Sequence, residues 1–114
     1  MRKRMIGKAV ALLFVLGTVS PASARTIMGE GVASCGAWTE TARERREKPF
    51  KRTLHETWLL GYLSGVNAAF VETDFLTKAD APAITAWIDN YCQTNPLETI
   101  QRASNELIRA LQAR

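Results

Sequence analysis

The sequence predicts an all-α fold, a compact bundle of about four helices closed by one disulfide and preceded by a cleaved signal peptide. Three observations predict it. Apolar residues beyond residue 50 recur at helical spacing, with no strand-like alternation of useful length. The N-terminus carries the marks of an export leader. Beyond that leader the chain holds two cysteines, Cys35 and Cys92, an even number in a context where disulfides persist.

The leader comes first in the chain. Arg2, Lys3, Arg4 and Lys8 form a positive start with no acid among them, and Ala9 to Val19 is an apolar run of eleven residues. Ser20-Pro21 ends any helix, and Ala22-Ser23-Ala24 supplies the small-x-small pattern that a signal peptidase reads. The apolar run reaches only about half of the roughly 20 residues needed to span a bilayer as a helix. Cleavage is therefore expected after Ala24, leaving residues 25–114 as a single domain with no membrane segment.

Removing the leader changes the charge. The chain has 15 Lys+Arg against 11 Asp+Glu and a pI near 9.4. Four of the bases lie in the leader, so residues 25–114 carry 11 of each sign. The basic balance serves export, and no nucleic-acid partner is expected of a neutral domain.

The elements follow in order. Residues 25–34 are glycine-rich and without period, an irregular lead-in. A first, heavily charged helix is expected from Gly36 to about Lys48, where Glu44 and Lys48 can pair at i,i+4 and Pro49 interrupts. Arg43, Arg45, Arg46, Lys48, Lys51 and Arg52 form a local basic cluster diluted by acids, the pattern of a solvated face and linker. A second helix is expected from about Lys51 to Val71. Trp58, Leu59, Tyr62, Leu63, Val66 and Phe70 form its broad apolar stripe. Gly61 and Gly65 each cost about 1 kcal/mol against Ala in a helix interior, which argues for close packing of another helix there.

Residues 72–81 form a loop. Asp80 is the expected N-cap of a third helix with Pro82 in its first turn. That helix places Ile84, Trp87, Ile88, Tyr91 and Cys92 on one face, which suits a Cys35–Cys92 disulfide rather than two buried thiols. Asn95-Pro96-Leu97-Glu98 reads as a cap, a first helical proline and a capping box. The last helix is accordingly expected from Pro96 to about Gln112, burying Leu97, Ile100, Leu107, Ile108 and Leu111.

Chemistry is sparse. His55 is the single histidine, and no Cys-x-x-Cys pair accompanies it, so neither a metal site nor a cofactor is expected. A nucleophile, a base and an orienting group are not assembled by any motif, and no catalytic residue is assigned. The aromatics Trp58, Trp87, Tyr62 and Tyr91 read as core. Trp38, on an otherwise charged helix, is the candidate contact anchor if it is exposed.

The run Trp58-Leu59-Leu60-Gly61-Tyr62-Leu63-Ser64-Gly65 is followed by Trp87-Ile88-Asp89-Asn90-Tyr91-Cys92-Gln93-Thr94-Asn95-Pro96-Leu97 and an Ala-rich last helix. This layout, over roughly residues 35 to 111, resembles the small periplasmic Tai-type (Rap-like) immunity proteins of type VI secretion. More loosely it is similar to the Hde-type acid-stress chaperones, which are also short, exported, helical and single-disulfide. The first resemblance implies a non-catalytic periplasmic module that binds and inhibits a secreted effector. The second implies a chaperone that opens in acid, and a small hydrolase centred on His55 is the third reading. That immunity family commonly carries a cysteine in the loop after its G-Y-x-x-G helix, whereas Glu72 to Ala81 has none. On the first reading the partner is a protein, contacted through the acidic-aromatic loop Glu72, Asp74 and Phe75 together with Trp38.

Overall fold

A computed structural model describes residues 25–44 and 46–114. The leader and its cleavage site lie outside the described residues, as does Arg45. The domain is an all-α bundle of four helices: α1 (Cys35–Arg43), α2 (Pro49–Ala69), α3 (Ala81–Thr94) and α4 (Ile100–Gln112). Short 3₁₀ turns at Gly29–Val32 and Phe75–Lys78 fill the remaining sides. Among the described residues no helix is long and apolar enough to cross a membrane.

Three of the four helices are capped by a side chain. The Ser34, Asp80 and Thr99 oxygens accept from the backbone N–H three residues on, at 2.9–3.1 Å. The α2 helix opens on Pro49 instead, whose fixed φ suits a first helical position and whose missing N–H is no loss there. Its N-cap, Lys48, sits at φ −133° and ψ 61°, out of the helical region as residues before proline tend to be. This shortens α1 relative to the sequence expectation. The helix stops at Arg43, Glu44, Arg46 and Glu47 lie in a turn, and α2 begins two residues earlier than expected. The Glu44–Lys48 pair does form, at 3.1 Å, across that turn.

The last helix departs from expectation more sharply. Asn95-Pro96-Leu97-Glu98 does not start α4. Its carbonyls are already used: Pro96 accepts from Gly36 N–H and Glu98 from Cys35 N–H, while Ile100 N–H donates to Ala33. A lone antiparallel bridge, Ser34 with Thr99, lies at the centre of this exchange, so the N-termini of α1 and α4 are tied together. Helix geometry resumes only after Thr99, which caps in place of Asn95. Leu97, expected in the core, is 96% exposed. The Asn95 side chain instead closes α3, donating to the Tyr91 carbonyl at 2.9 Å.

The core gathers Leu59 and Leu63 of α2, Ile84 and Ile88 of α3, and Ile100, Ala103, Leu107, Ile108 and Leu111 of α4 around Trp38 and Phe75. Cys35 and Cys92 are joined as expected, coupling α1 to α3 at full burial. The glycines of α2 do not pack a helix: a Cβ added at Gly61 or Gly65 would meet nothing within 4 Å. The contact between α2 and α4 is made elsewhere, where the Tyr62 hydroxyl donates to Asn105 at 2.8 Å. Close approach occurs instead at Gly31, where an added Cβ would collide with the Trp58 ring. The lead-in is thus seated on α2, and Trp58 Nε1 donates to the Met28 carbonyl at 2.9 Å.

Candidate functional site

Two places in the fold concentrate chemistry. The first is a polar cluster inside the bundle. Arg52 is only 2% exposed, with its guanidinium carbon 4.2 Å from the centroid of the Trp38 ring. Its Nε donates to Glu56 at 2.6 Å and its Nη2 to Asp89 at 2.9 Å. The same Asp89 oxygen accepts from Trp38 Nε1 at 2.6 Å. On the Trp38 side, His55 stacks against the indole, ring centroids 6.0 Å apart, and its Nε2 donates to Glu30 at 2.7 Å. Four elements meet here: the lead-in, α1, α2 and α3.

Two sequence expectations are corrected at this point. Trp38 is fully enclosed, and its ring meets Arg52 and His55 rather than solvent, so it offers no anchor to a partner. Arg52 is not part of a solvated basic face. Its charge is matched by two carboxylates and an aromatic ring, while its Nη1 is buried without a hydrogen-bond partner. The sequence signal for this is the i,i+4 pair Arg52–Glu56; nothing in spacing links either residue to Asp89.

His55 sits below its ordinary titration range. Burial disfavours the imidazolium most, and the nearby Lys51 and Arg52 charges add to that, while Glu30 pulls the other way. With Nε2–H spent on Glu30, the neutral ring turns a bare Nδ1 into the protein, where it has no partner. Protonation would create a buried donor with nothing to accept it. A base and a carboxylate stand together here, but at 1% exposure the imidazole is closed to substrate. Among the described residues, no group of three or more His, Cys, Asp or Glu side chains is placed to hold a metal ion.

The second place is the loop after α2. Phe75, a candidate contact, is fully buried and cannot touch a partner. It serves as the base of the loop, with Phe70 packed edge-on to it at 6.3 Å. Asn67 locks the loop from both sides, its Nδ2 donating to Asp74 at 2.9 Å and its Oδ1 accepting from Phe75 N–H at 3.0 Å. Glu72 and Asp74 are exposed as expected. Between them and the helix end stand Phe70, 48% exposed, and Val71, 97% exposed, two contact candidates that the sequence reading left on the α2 stripe or passed over. A following Lys78 ties the loop to the end of α4, donating to the carbonyls of Leu111 and Arg114.

No protein-family description, no curated protein and no solved structure matches this chain.

Proposed function

We propose that this chain is a non-catalytic, exported protein-binding module of the periplasm that inhibits a secreted effector, with the loop Phe70 to Asp74 as its contact. The observation that carries this reading is the construction of that loop. An apolar tip, Phe70-Val71, is held out by a buried phenylalanine and an asparagine clamp and is flanked by two exposed acids. A rigid exposed tip binds without the ordering cost that a mobile loop incurs. Its chemistry suits a partner surface with an apolar pocket rimmed by basic groups. The enclosure of His55 supports the non-catalytic half of the reading.

The test is affinity capture of the oxidised protein from periplasm at neutral pH, beside a Val71→Asp variant. One stoichiometric partner, lost with Val71→Asp while the fold is retained, is the expected result. A partner captured equally by both proteins, or none in the presence of secreted hydrolases, overturns the assignment of the loop or the reading itself.

A second reading, an acid-stress chaperone, is favoured by one observation. His55 is enclosed against the lead-in and the Trp38 ring, where burial, more than Glu30 offsets, disfavours its protonated form, so acid works against the fold at this point. Failure to suppress client aggregation at about pH 2–3, below the ordinary carboxylate range, removes it.

A further inference from the structure

The outer face of α2 carries no charge along its length, and the lead-in, Thr26 to Met28, borders it on one edge beside Thr57 and Gly61. At about 100° per residue, Phe50, Leu54, Thr57, Gly61, Gly65 and Ala68 fall within roughly 40° of one line along the helix. All six are exposed. The line runs about 27 Å at a rise of 1.5 Å per residue. The charged residues of α2 lie off it: Arg52, His55 and Glu56 face the bundle, and Lys51 stands at its edge. By contrast, the outer face of α4 carries Arg102, Glu106 and Arg109. Two glycines in a solvent-facing helix cost stability and gain nothing inside the monomer, since the space over both is open.

The face is graded. Its N-terminal half is bulky, with Phe50 at 75% and Leu54 at 40% exposure, and its C-terminal half is small, with Gly61, Gly65 and Ala68. A surface that is large at one end and small at the other complements itself when a second copy is turned end for end. Crossing at Gly61 puts Leu54 over the partner copy's Ala68 and Thr57 over its Gly65. Phe50 and Lys51 then reach the end of the other α2, where Val71 and Glu72 emerge. The ends match in charge as well, Lys51 of each copy meeting Glu72 of the other. Antiparallel helices also bring opposite dipole ends together.

We infer that this chain forms a two-fold dimer through α2, antiparallel, centred on Gly61. Two such faces bury on the order of 1,000 Å² together, at the lower limit of specific interfaces, so the dimer is reversible. The pairing also completes the contact tip, because Phe50 of one copy joins Phe70 and Val71 of the other at each end. This last step rests on the reading of the loop as a contact; the pairing does not.

Sedimentation velocity of the oxidised protein over a range of concentrations tests the pairing with no partner present. The expected result is a monomer–dimer equilibrium in which Gly61→Arg stays monomeric at every concentration with helicity intact. Lys51→Glu weakens the dimer by about tenfold and Lys51→Glu with Glu72→Lys restores it, as for a charge pair across an interface. A wild-type protein that is monomeric throughout overturns the proposal, and so does a dimer indifferent to Gly61→Arg. Either result leaves partner capture, which is read separately, untouched.

Discussion

Glycines at two places in this fold have opposite effects. Gly31 lies under the Trp58 ring, and a methyl group there collides with Cζ2 and Cη2, atoms of a rigid ring already held by its bond to Met28. Gly31→Ala is expected to lower stability by about 1–3 kcal/mol, the range for overpacking, as a drop in denaturant midpoint. Gly65→Ala adds its methyl into open space on a regular helix, and at concentrations where the protein is monomeric it is expected to raise stability by about 0.5–1 kcal/mol. A midpoint raised by Gly31→Ala would show the seating of the lead-in on α2 to be wrong, and one lowered by Gly65→Ala would show that the space over Gly65 is not open.

His55 gives the residue scale its pH dependence. Its folded-state titration lies below the usual 6.5, chiefly through desolvation. As pH falls through 6.5 the unfolded chain takes up a proton before the folded chain does, so stability present above 6.5 is lost on the way down to the folded value. Thermal melts between about pH 7.5 and 5.5, a window above ordinary carboxylate titration, are expected to show that loss. His55→Gln, which keeps a donor for Glu30 and does not titrate, should flatten the slope. An equal slope in both proteins assigns the dependence to other groups.

At the scale of elements, the helices were legible because their signals are local. Asp80 with Pro82, and the i, i+3, i+4 stripe of Ile84, Trp87 and Ile88, need only neighbours in sequence to act. The cysteine pairing followed from count and compartment. What failed was non-local. The cap at Asn95 lost to backbone bonds with residues 33–36, sixty positions away. The glycines that looked like a packing surface are open, while the half-buried acceptor Asp89 reads from sequence as one more polar residue on a helix. Of the loop after α2, the exposed acids were legible and the exchange of Phe75 for Phe70 and Val71 at its exposed tip was not, because Phe75 is the ring turned inward, with its backbone N–H held by Asn67.

Asp89 is the joint between these elements, accepting from α1 through Trp38 and from α2 through Arg52. Asp89→Ala leaves the indole N–H without its acceptor and the enclosed guanidinium with Glu56 alone. A loss of about 1–3 kcal/mol is expected, as for an enclosed donor left without its acceptor, since Asp89 is itself half-buried and Glu56 still pairs with Arg52. Asp89→Asn retains an acceptor and loses only the charge, so it should fall between the wild type and the alanine variant. Equal losses would mean that hydrogen bonding to the neutral side chain contributes nothing and the charge is all that matters.

Over the whole molecule, integrity depends on how α1 is held. The helix is nine residues long, too short to persist alone in water. It is fixed by Trp38, by the bonds from Cys35 and Gly36 to the turn before α4, and by the disulfide to Cys92. Closing a loop of about 58 residues constrains the unfolded chain by roughly 4 kcal/mol. Small domains hold only about 5–15 kcal/mol in total, so the bridge accounts for a large part of the margin. Its loss would also free α1, which carries one wall of the Arg52 and His55 enclosure. Reduction is therefore expected to be cooperative in effect: α1 leaves and takes Trp38 away from Asp89, and water reaches a buried cation and a buried imidazole. Far-UV circular dichroism and tryptophan fluorescence, followed together through thermal melts with and without a thiol reductant, should report one coincident transition, tens of degrees lower when reduced, as about 4 kcal/mol implies for a domain of this size. A reduced protein in which fluorescence changes first and helicity persists would show α1 to be a detachable flap over an independently stable bundle of α2, α3 and α4.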